Sequence, residues 1–421
     1  MRRRSLAANS ALALAGNAAG KVGALLVVLV AARLLSVEEL ASFATGLAVA
    51  SLLACALDLG ASTLLARDGA RDGSGRGALF HALVRARAPA AAVLIVGAPL
   101  VGIALGAPPT ALAVAALATT GALTLSVLGL YRSCEDIRPE AVQKLAFAAA
   151  AVASVTLAAL VRPRADVLLG ALALVTVGTL IPLLVGAPVR TRGASRPHAL
   201  SALRRAAPIG LLALATVAYY RSGTIVLAAL GADDETAAFS VAASVAFGLL
   251  MLPNAITTAL LPRLSAEHEL PALISCARRA LGWTIALALP VAGVAAAVGP
   301  WALPLVLGSE YSQAAAPFAL LCVGIPVIAV SGVIGTALLC IGRLRLLAAQ
   351  VACTLAVNLI ALAVLVPSLG AIGASLATLA CETAGLLLLA RAAHAALPGL
   401  LSLQPPVLAE PVQATTGAAR G

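Results

Sequence analysis

The chain has 421 residues, 62% of them hydrophobic and only 11% charged, with a mean hydropathy of +1.05. That composition excludes a soluble globular domain and a disordered chain alike, leaving a polytopic membrane protein. The formal net charge of +11 would also suit a nucleic-acid binder, so the placement of the charges decides their meaning.

A spanning helix needs about 20 mostly apolar residues. Twelve stretches meet that need, at residues 12–34, 40–64, 88–105, 111–131, 142–161, 167–187, 209–230, 237–261, 281–305, 314–341, 346–366 and 371–397. The predicted fold is an all-α polytopic membrane protein, with twelve transmembrane helices in two six-helix bundles related as parallel repeats. Residues 1–189 and 208–397 form the bundles, 190–207 a basic cytoplasmic linker, and 398–421, rich in proline and small residues, a disordered cytoplasmic tail. The basic start is followed by an apolar run that continues past any cleavage site, which reads as a retained first helix.

Polar groups inside spans must face protein or water, so they mark candidate sites. The first helix contains Asn17 and Lys21 on one stripe at helical spacing, while Gly16, Gly20 and Gly23 line an adjacent one that reads as a close-packing face. Insertion scales charge about 2.5–3.5 kcal/mol for an ammonium at mid-bilayer, which the interior must offset. The stretch GNAAGKV fails the phosphate-loop pattern, because three residues rather than four separate its glycines and Val22 follows the lysine. Asp58 lies near the end of the second helix, as a packing or gating group. Arg221 in the seventh helix is the second intramembrane cation, beside Tyr219 and Tyr220. The eleventh helix presents Gln350, Thr354 and Asn358, and the twelfth Ser375, Thr378 and Glu382. Glu382 reads either as a carrier of a coupling proton or as a structural partner, Lys21 being one candidate for the pair.

Two cations lining a hydrated chamber suit a multiply anionic headgroup such as a diphosphate, which arginine meets as a fork and lysine as a point charge. The candidate binding residues are thus Lys21, Arg221, Asn17, Tyr220 and Asn358, and the candidate coupling or gating residues Glu382, Asp58 and Asn254. No catalytic, metal or cofactor site is expected. Cys55, Cys322, Cys340, Cys353 and Cys381 fall within spans without a CxxC pair and read as small apolar filler.

With the amino terminus in the cytoplasm, all but five of the 28 lysines and arginines fall on the cytoplasmic side. Arg33, Arg162 and Arg164 lie opposite, and Lys21 and Arg221 lie inside spans. This is the positive-inside rule for twelve helices with both termini cytoplasmic, so the basicity is topological and no nucleic-acid partner is needed. The outward loops are short, which argues against membrane glycosyltransferases and polymerases with an external catalytic domain.

At an offset of 196, residues 32–67 align with 228–263 without a gap, with 11 identities in 36 positions. The rarer matches pair Glu39 with Glu235, Phe43 with Phe239 and Arg67 with Arg263, and set Asp58 opposite Asn254. Both segments are the second helix of a six-helix half, the arrangement of transporters whose halves are parallel repeats.

The segments NAAGKVGALLVVLVAARLLSVEELASFATGLAVASLLACALDLGAS, AAFSVAASVAFGLLMLPNAITTALLPRLS and WALPLVLGSEYSQAAAPFALL resemble the lipid-linked oligosaccharide flippases of bacterial polysaccharide synthesis, the O-antigen type. These belong to the multidrug/oligosaccharidyl-lipid/polysaccharide exporter superfamily. The resemblance implies a non-enzymatic protein of the bacterial plasma membrane that moves an undecaprenyl-diphosphate-linked glycan to the outer leaflet by alternating access. Its implied partners are that glycan lipid, membrane lipids, and a polysaccharide polymerase or glycosyltransferases. Lys21 matches the family's frequent first-helix lysine after glycine, whereas Arg221 stands where many relatives carry an acidic residue. A multidrug or cation antiporter of the same superfamily and a peptidoglycan-precursor flippase are the alternatives.

Overall fold

The computed structural model describes residues 6–71, 75–188, 199–266 and 269–401, which contain thirteen α-helices and no strand. The N-terminal bundle comprises α1 (Leu6–Leu34), α2 (Val37–Asp58), α3 (Ala61–Arg71), α4 (Arg76–Ala104), α5 (Pro108–Arg132), α6 (Arg138–Val161) and α7 (Ala165–Val185). The C-terminal bundle comprises α8 (Ala199–Ala229), α9 (Asp233–Leu249), α10 (Met251–Ala266), α11 (Leu270–Leu307), α12 (Ala315–Cys340) and α13 (Leu344–Ala396).

Helix α13 is two spans. Its 53 residues would extend about 80 Å at 1.5 Å each, far more than a ~30 Å hydrocarbon core. Gly370, at φ 52 and ψ −130, breaks it. Its arms fold back on each other, so that Asn358 Nδ2 reaches Cys381 Sγ at 3.6 Å. With this split, the eleven membrane-length helices make the twelve crossings expected.

The second span of each bundle, expected as one helix, is broken. In the N-terminal bundle α2 stops where Leu59 and Gly60 both take positive φ, 42 and 76. Asp58 then accepts the Ser62 backbone N–H at 3.2 Å, capping α3. In the C-terminal bundle α9 and α10 part at Leu250, because Pro253 has no N–H to bond the Leu249 carbonyl and carry the α9 ladder onward. Hydropathy alone does not register either break. The basic stretch 68–87, between the second and third apolar stretches, is largely helical, since α3 runs to Arg71 and α4 starts at Arg76. Five of its six charged residues, Asp68, Arg71, Arg76, Arg85 and Arg87, lie on these helices. Half of the expected linker 190–207, residues 190–198, and most of the tail 398–421 lie outside the described residues, whereas 199–207 form the first turns of α8.

The repeat is visible in matching contacts. Glu39 Oε2 accepts the backbone N–H of Ala165, the first residue of α7, at 2.6 Å. Its counterpart Glu235 accepts that of Ala371, the first residue after the α13 break, also at 2.6 Å. A carboxylate at a helix N-terminus satisfies a free donor and meets the positive end of the dipole. Phe43 and Phe239 are both buried, 0% and 3% exposed.

The buried cores show how the bundles meet. One cluster joins residues of both, including Ala31, Phe43, Leu168, Phe239, Tyr311 and Ile325, at the end away from the basic loops. At the basic end there are two separate clusters. One holds Leu64, Leu83, Leu130 and Leu183 with Ala202 and Ala206 of α8, and the other Leu264, Leu273, Ile334 and Leu389. The bundles are therefore closed against each other at the far end and parted at the basic end, where α8 leans on the N-terminal side.

Candidate functional site at the seam between the bundles

The orientation of α1 follows from its small residues. A Cβ on Gly16 would lie 2.9 Å from Ala141 Cα, and one on Gly23 2.5 Å from Ala148 Cβ, while one on Gly20 would meet nothing within 4 Å. Gly16 and Gly23, seven residues apart, therefore seat α1 on α6, and Gly20 takes no part in the expected close-packing face. Leu25 lies over Gly248 of α9, its Cδ2 3.3 Å from where a Cβ would be. Lys21 precedes Leu25 by one turn on the same face, so it projects toward the C-terminal bundle on the open side of the seam. It is exposed and makes no hydrogen bond or ion pair with any described residue.

Arg221 projects from α8 across the seam. Its Nε donates to Ser51 Oγ of α2 at 3.0 Å, and Ser51 itself donates to the Ala48 carbonyl at 2.8 Å. No carboxylate pairs with Arg221 among the described residues. The adjacent Tyr220 packs edge-on against Phe247, with ring centroids 5.4 Å apart. The residues that meet α9 are thus neighbours of the two cations, Tyr220 at Phe247 and Leu25 at Gly248.

Asn17 lies one turn nearer the basic end than Lys21. Its Oδ1 accepts from Lys144 Nζ at 2.5 Å, and Lys144 also pairs with Glu140 at 2.6 Å. Arg132 grips the same Glu140 with two bonds of 2.7 Å. Lys144, counted with the cytoplasmic-side charges, lies in the second turn of α6, and a basic ladder leads along the N-terminal bundle toward Lys21.

Three expected residues gather in a separate place. A cavity of about 280 Å³ within the C-terminal bundle is lined by Tyr220, Asn254 and Glu382, with Tyr219, Gln350 and Thr354 beside them. Tyr219 donates its hydroxyl to Glu382 Oε1 at 2.5 Å, so the partner of Glu382 is this tyrosine and not Lys21. Asn358 is 1% exposed. Its Oδ1 accepts from Ser222 Oγ at 2.6 Å while its Nδ2 faces Cys381, which places it in the interior of the bundle and away from the seam where the sequence reading set it.

Asp58 is also held inside one bundle. Arg87 Nη1 meets Asp58 Oδ1 at 3.3 Å, Ser62 donates its hydroxyl at 2.7 Å, and Arg87 Nη2 donates to Ser126 Oγ at 2.8 Å. Sequence reasoning missed Arg87 and Lys144 because it counted them as loop charges, and Ser51 because one serine in an apolar run carries no periodic signal.

Residues 6–268, well over half of the chain, match the family model described as Polysaccharide biosynthesis protein. No curated protein matches the sequence. Among solved structures, an inward-facing multidrug resistance MATE family transporter of the MOP superfamily is 14% identical, with a TM-score of 0.68 over 90% of this chain and 95% of its own. The lipid II flippase MurJ, inward closed, is 11% identical, with a TM-score of 0.69 over 89% and 85%. A MOP superfamily transporter from Pyrococcus furiosus, described as having a binding pocket of reverse polarity that suggests a different function, is 14% identical, with a TM-score of 0.67 over 93% and 95%. At such identities the likeness is one of fold, twelve helices in two lobes. With that fold and a match across most of its length, this chain belongs to the polysaccharide biosynthesis protein family and is a multi-pass membrane flippase or transporter.

Proposed function

We propose that the protein is a flippase that carries a polyprenyl-diphosphate-linked glycan from the cytoplasmic to the outer leaflet of a bacterial plasma membrane. In this reading the basic end faces the cytoplasm. The cleft parted at that end admits the diphosphate and glycan, while the prenyl chain stays in lipid. Asn17 and Lys144 pass the headgroup inward to Lys21 and Arg221. Rocking of the bundles then closes the basic end and opens the other. No covalent bond changes. A membrane potential negative inside favours outward movement of an anion by about 2.3 kcal/mol per charge per 100 mV.

One observation carries this reading: the two cations at the seam, Lys21 and Arg221, have no carboxylate partner among the described residues. The buried acids Asp58, Glu140 and Glu382 are each engaged inside their own bundle. A cavity for cationic drugs would need the opposite arrangement, with free carboxylates at the seam. An uncompensated charge in a membrane protein is costly unless it lines water or meets a ligand of opposite sign.

The test uses a strain whose surface polysaccharide depends on this protein. Lys21→Ala and Arg221→Ala should each lower export, and Lys21→Glu should abolish it, with protein abundance unchanged. Normal export by Lys21→Glu at normal abundance would overturn the reading, as would resistance to cationic drugs conferred by the wild type with no effect on polysaccharide.

A further inference from the structure

Helix α11 carries both tryptophans of the chain, Trp283 and Trp301, and both stand well out of the protein, 72% and 70% exposed. At 1.5 Å per residue they are about 27 Å apart along the helix, close to the ~30 Å of a bilayer's hydrocarbon core. Tryptophan is enriched at the two membrane interfaces. The pair therefore marks both edges of the bilayer, with Trp283 at the basic end. Arg279, one turn beyond Trp283 and about 6 Å further out, falls at the depth of the lipid phosphates.

At that depth α10 and α11 enclose an open groove of about 570 Å³. Ile256 and Leu260 of α10 form one wall, and Cys276, Arg279, Trp283 and Leu287 of α11 the other. The α11 wall is graded, from guanidinium at the phosphate level through indole to an aliphatic side chain at acyl depth. Arg279 is exposed and makes no hydrogen bond or ion pair with any described residue. Basic pockets between transmembrane helices at this face attract anionic head groups, and a guanidinium fork matches phosphate geometry. None of these residues belongs to the seam or to the cavity around Glu382.

We propose that the α10–α11 groove binds an anionic phospholipid of the leaflet at the basic end, with its phosphate on Arg279 and one acyl chain along Trp283 and Leu287. The site is separate from the transported headgroup's path and does not depend on the transport reading. Its position against α10, whose partner on the other side of the seam is α1, makes lipid composition a lever on how the C-terminal bundle sits in the membrane.

The full-length protein, purified in mild detergent, would be titrated with phosphatidylglycerol and with phosphatidylcholine and read by native mass spectrometry. Phosphatidylglycerol should be retained in preference to phosphatidylcholine. Arg279→Gln should cut its retention about fivefold and leave phosphatidylcholine unchanged, while Arg279→Lys, which keeps a point charge without the fork, should retain most of it. Trp283→Ala should weaken both lipids alike, and it reports on the groove even if Arg279→Gln fails to fold. Equal retention of the two lipids by the wild type, or unchanged retention in both Arg279→Gln and Trp283→Ala, overturns the proposal. So does displacement of phosphatidylglycerol from this site by a lipid-linked glycan, which would hand the groove to the substrate.

Discussion

Removing Arg87 separates a structural role of Asp58 from a gating one. Their charged atoms are 3.3 Å apart, with side-chain exposures of 11% and 8%. At an effective dielectric of about 20, Coulomb's law puts the attraction at about 5 kcal/mol, and removing one partner of such a buried pair costs about 3–5 kcal/mol. Arg87→Met also deprives the Leu57 carbonyl and Ser126 of their donor. The double variant Asp58→Asn/Arg87→Met removes both charges and keeps an oxygen to cap Ser62, so it should recover most of the loss. The assay is thermal unfolding of the purified protein in detergent, run alongside polysaccharide export by the same variants. Arg87→Met should melt well below the wild type, and the double variant should lie close to it and still export. If the double variant melts normally and exports nothing, Asp58 acts in the transport cycle and the structural account is wrong. An Arg87→Met protein as stable as the wild type would refute the energetic reasoning itself.

Three further outcomes follow from the same contacts. Gly23→Leu should part α1 from α6 and lower the yield of folded protein, whereas Gly20→Ala, whose added Cβ meets nothing within 4 Å, should leave yield unchanged on a size-exclusion profile. Glu39→Ala and Glu235→Ala each remove a carboxylate from a helix N-terminus. Each should cost about 1.5–3 kcal/mol, and unequal melting shifts would contradict their equivalence. Tyr311→Phe deletes the bond from the buried Tyr311 hydroxyl to the Ala32 carbonyl, 2.9 Å across the closed end. At about 1 kcal/mol, it should raise alkylation of an Ala32→Cys probe roughly fivefold in a background lacking the native cysteines.

Much of the architecture was legible because membrane insertion imposes a one-dimensional rule. Each span must be apolar over about 20 residues, and eleven of the twelve stretches begin or end within a few residues of a helix or of its break. The pairing of Glu39 with Glu235 was also legible, because an acid just outside an apolar run is rare enough in this composition to stand out. The side-chain partners were not. Asn358 and Lys21 both read as polar groups that must avoid lipid, yet one faces the interior of its bundle and the other the seam. Hydropathy says that such a side chain turns away from acyl chains but not which protein surface receives it. The same blindness hid Arg87, whose position just before the apolar stretch 88–105 read as a loop charge although it lies inside α4 beside Asp58 and Ser126.

The distribution of strong polar contacts bears directly on how the two bundles move. Arg87 with Asp58, Arg132 and Lys144 with Glu140, Tyr219 with Glu382 and Ser222 with Asn358 all lie within one bundle. Bonds across the seam are weaker and fewer among those described. Tyr311 to Ala32 is a neutral bond, Arg221 to Ser51 is one charged donor on a hydroxyl, and Arg205 with Asp68 is an ion pair at 3.3 Å whose arginine is 53% exposed, a kind worth at most about 1 kcal/mol. Breaking a buried ion pair inside a bundle costs several times more than releasing any of these. The closed end is otherwise aliphatic and alanine-rich, so parting it strands no buried charge. Movement by rigid rocking of whole bundles is therefore the low-energy route. It also leaves Lys21 on one lobe and Arg221 on the other, so in the proposed transport cycle the separation of the two cations changes as the lobes turn.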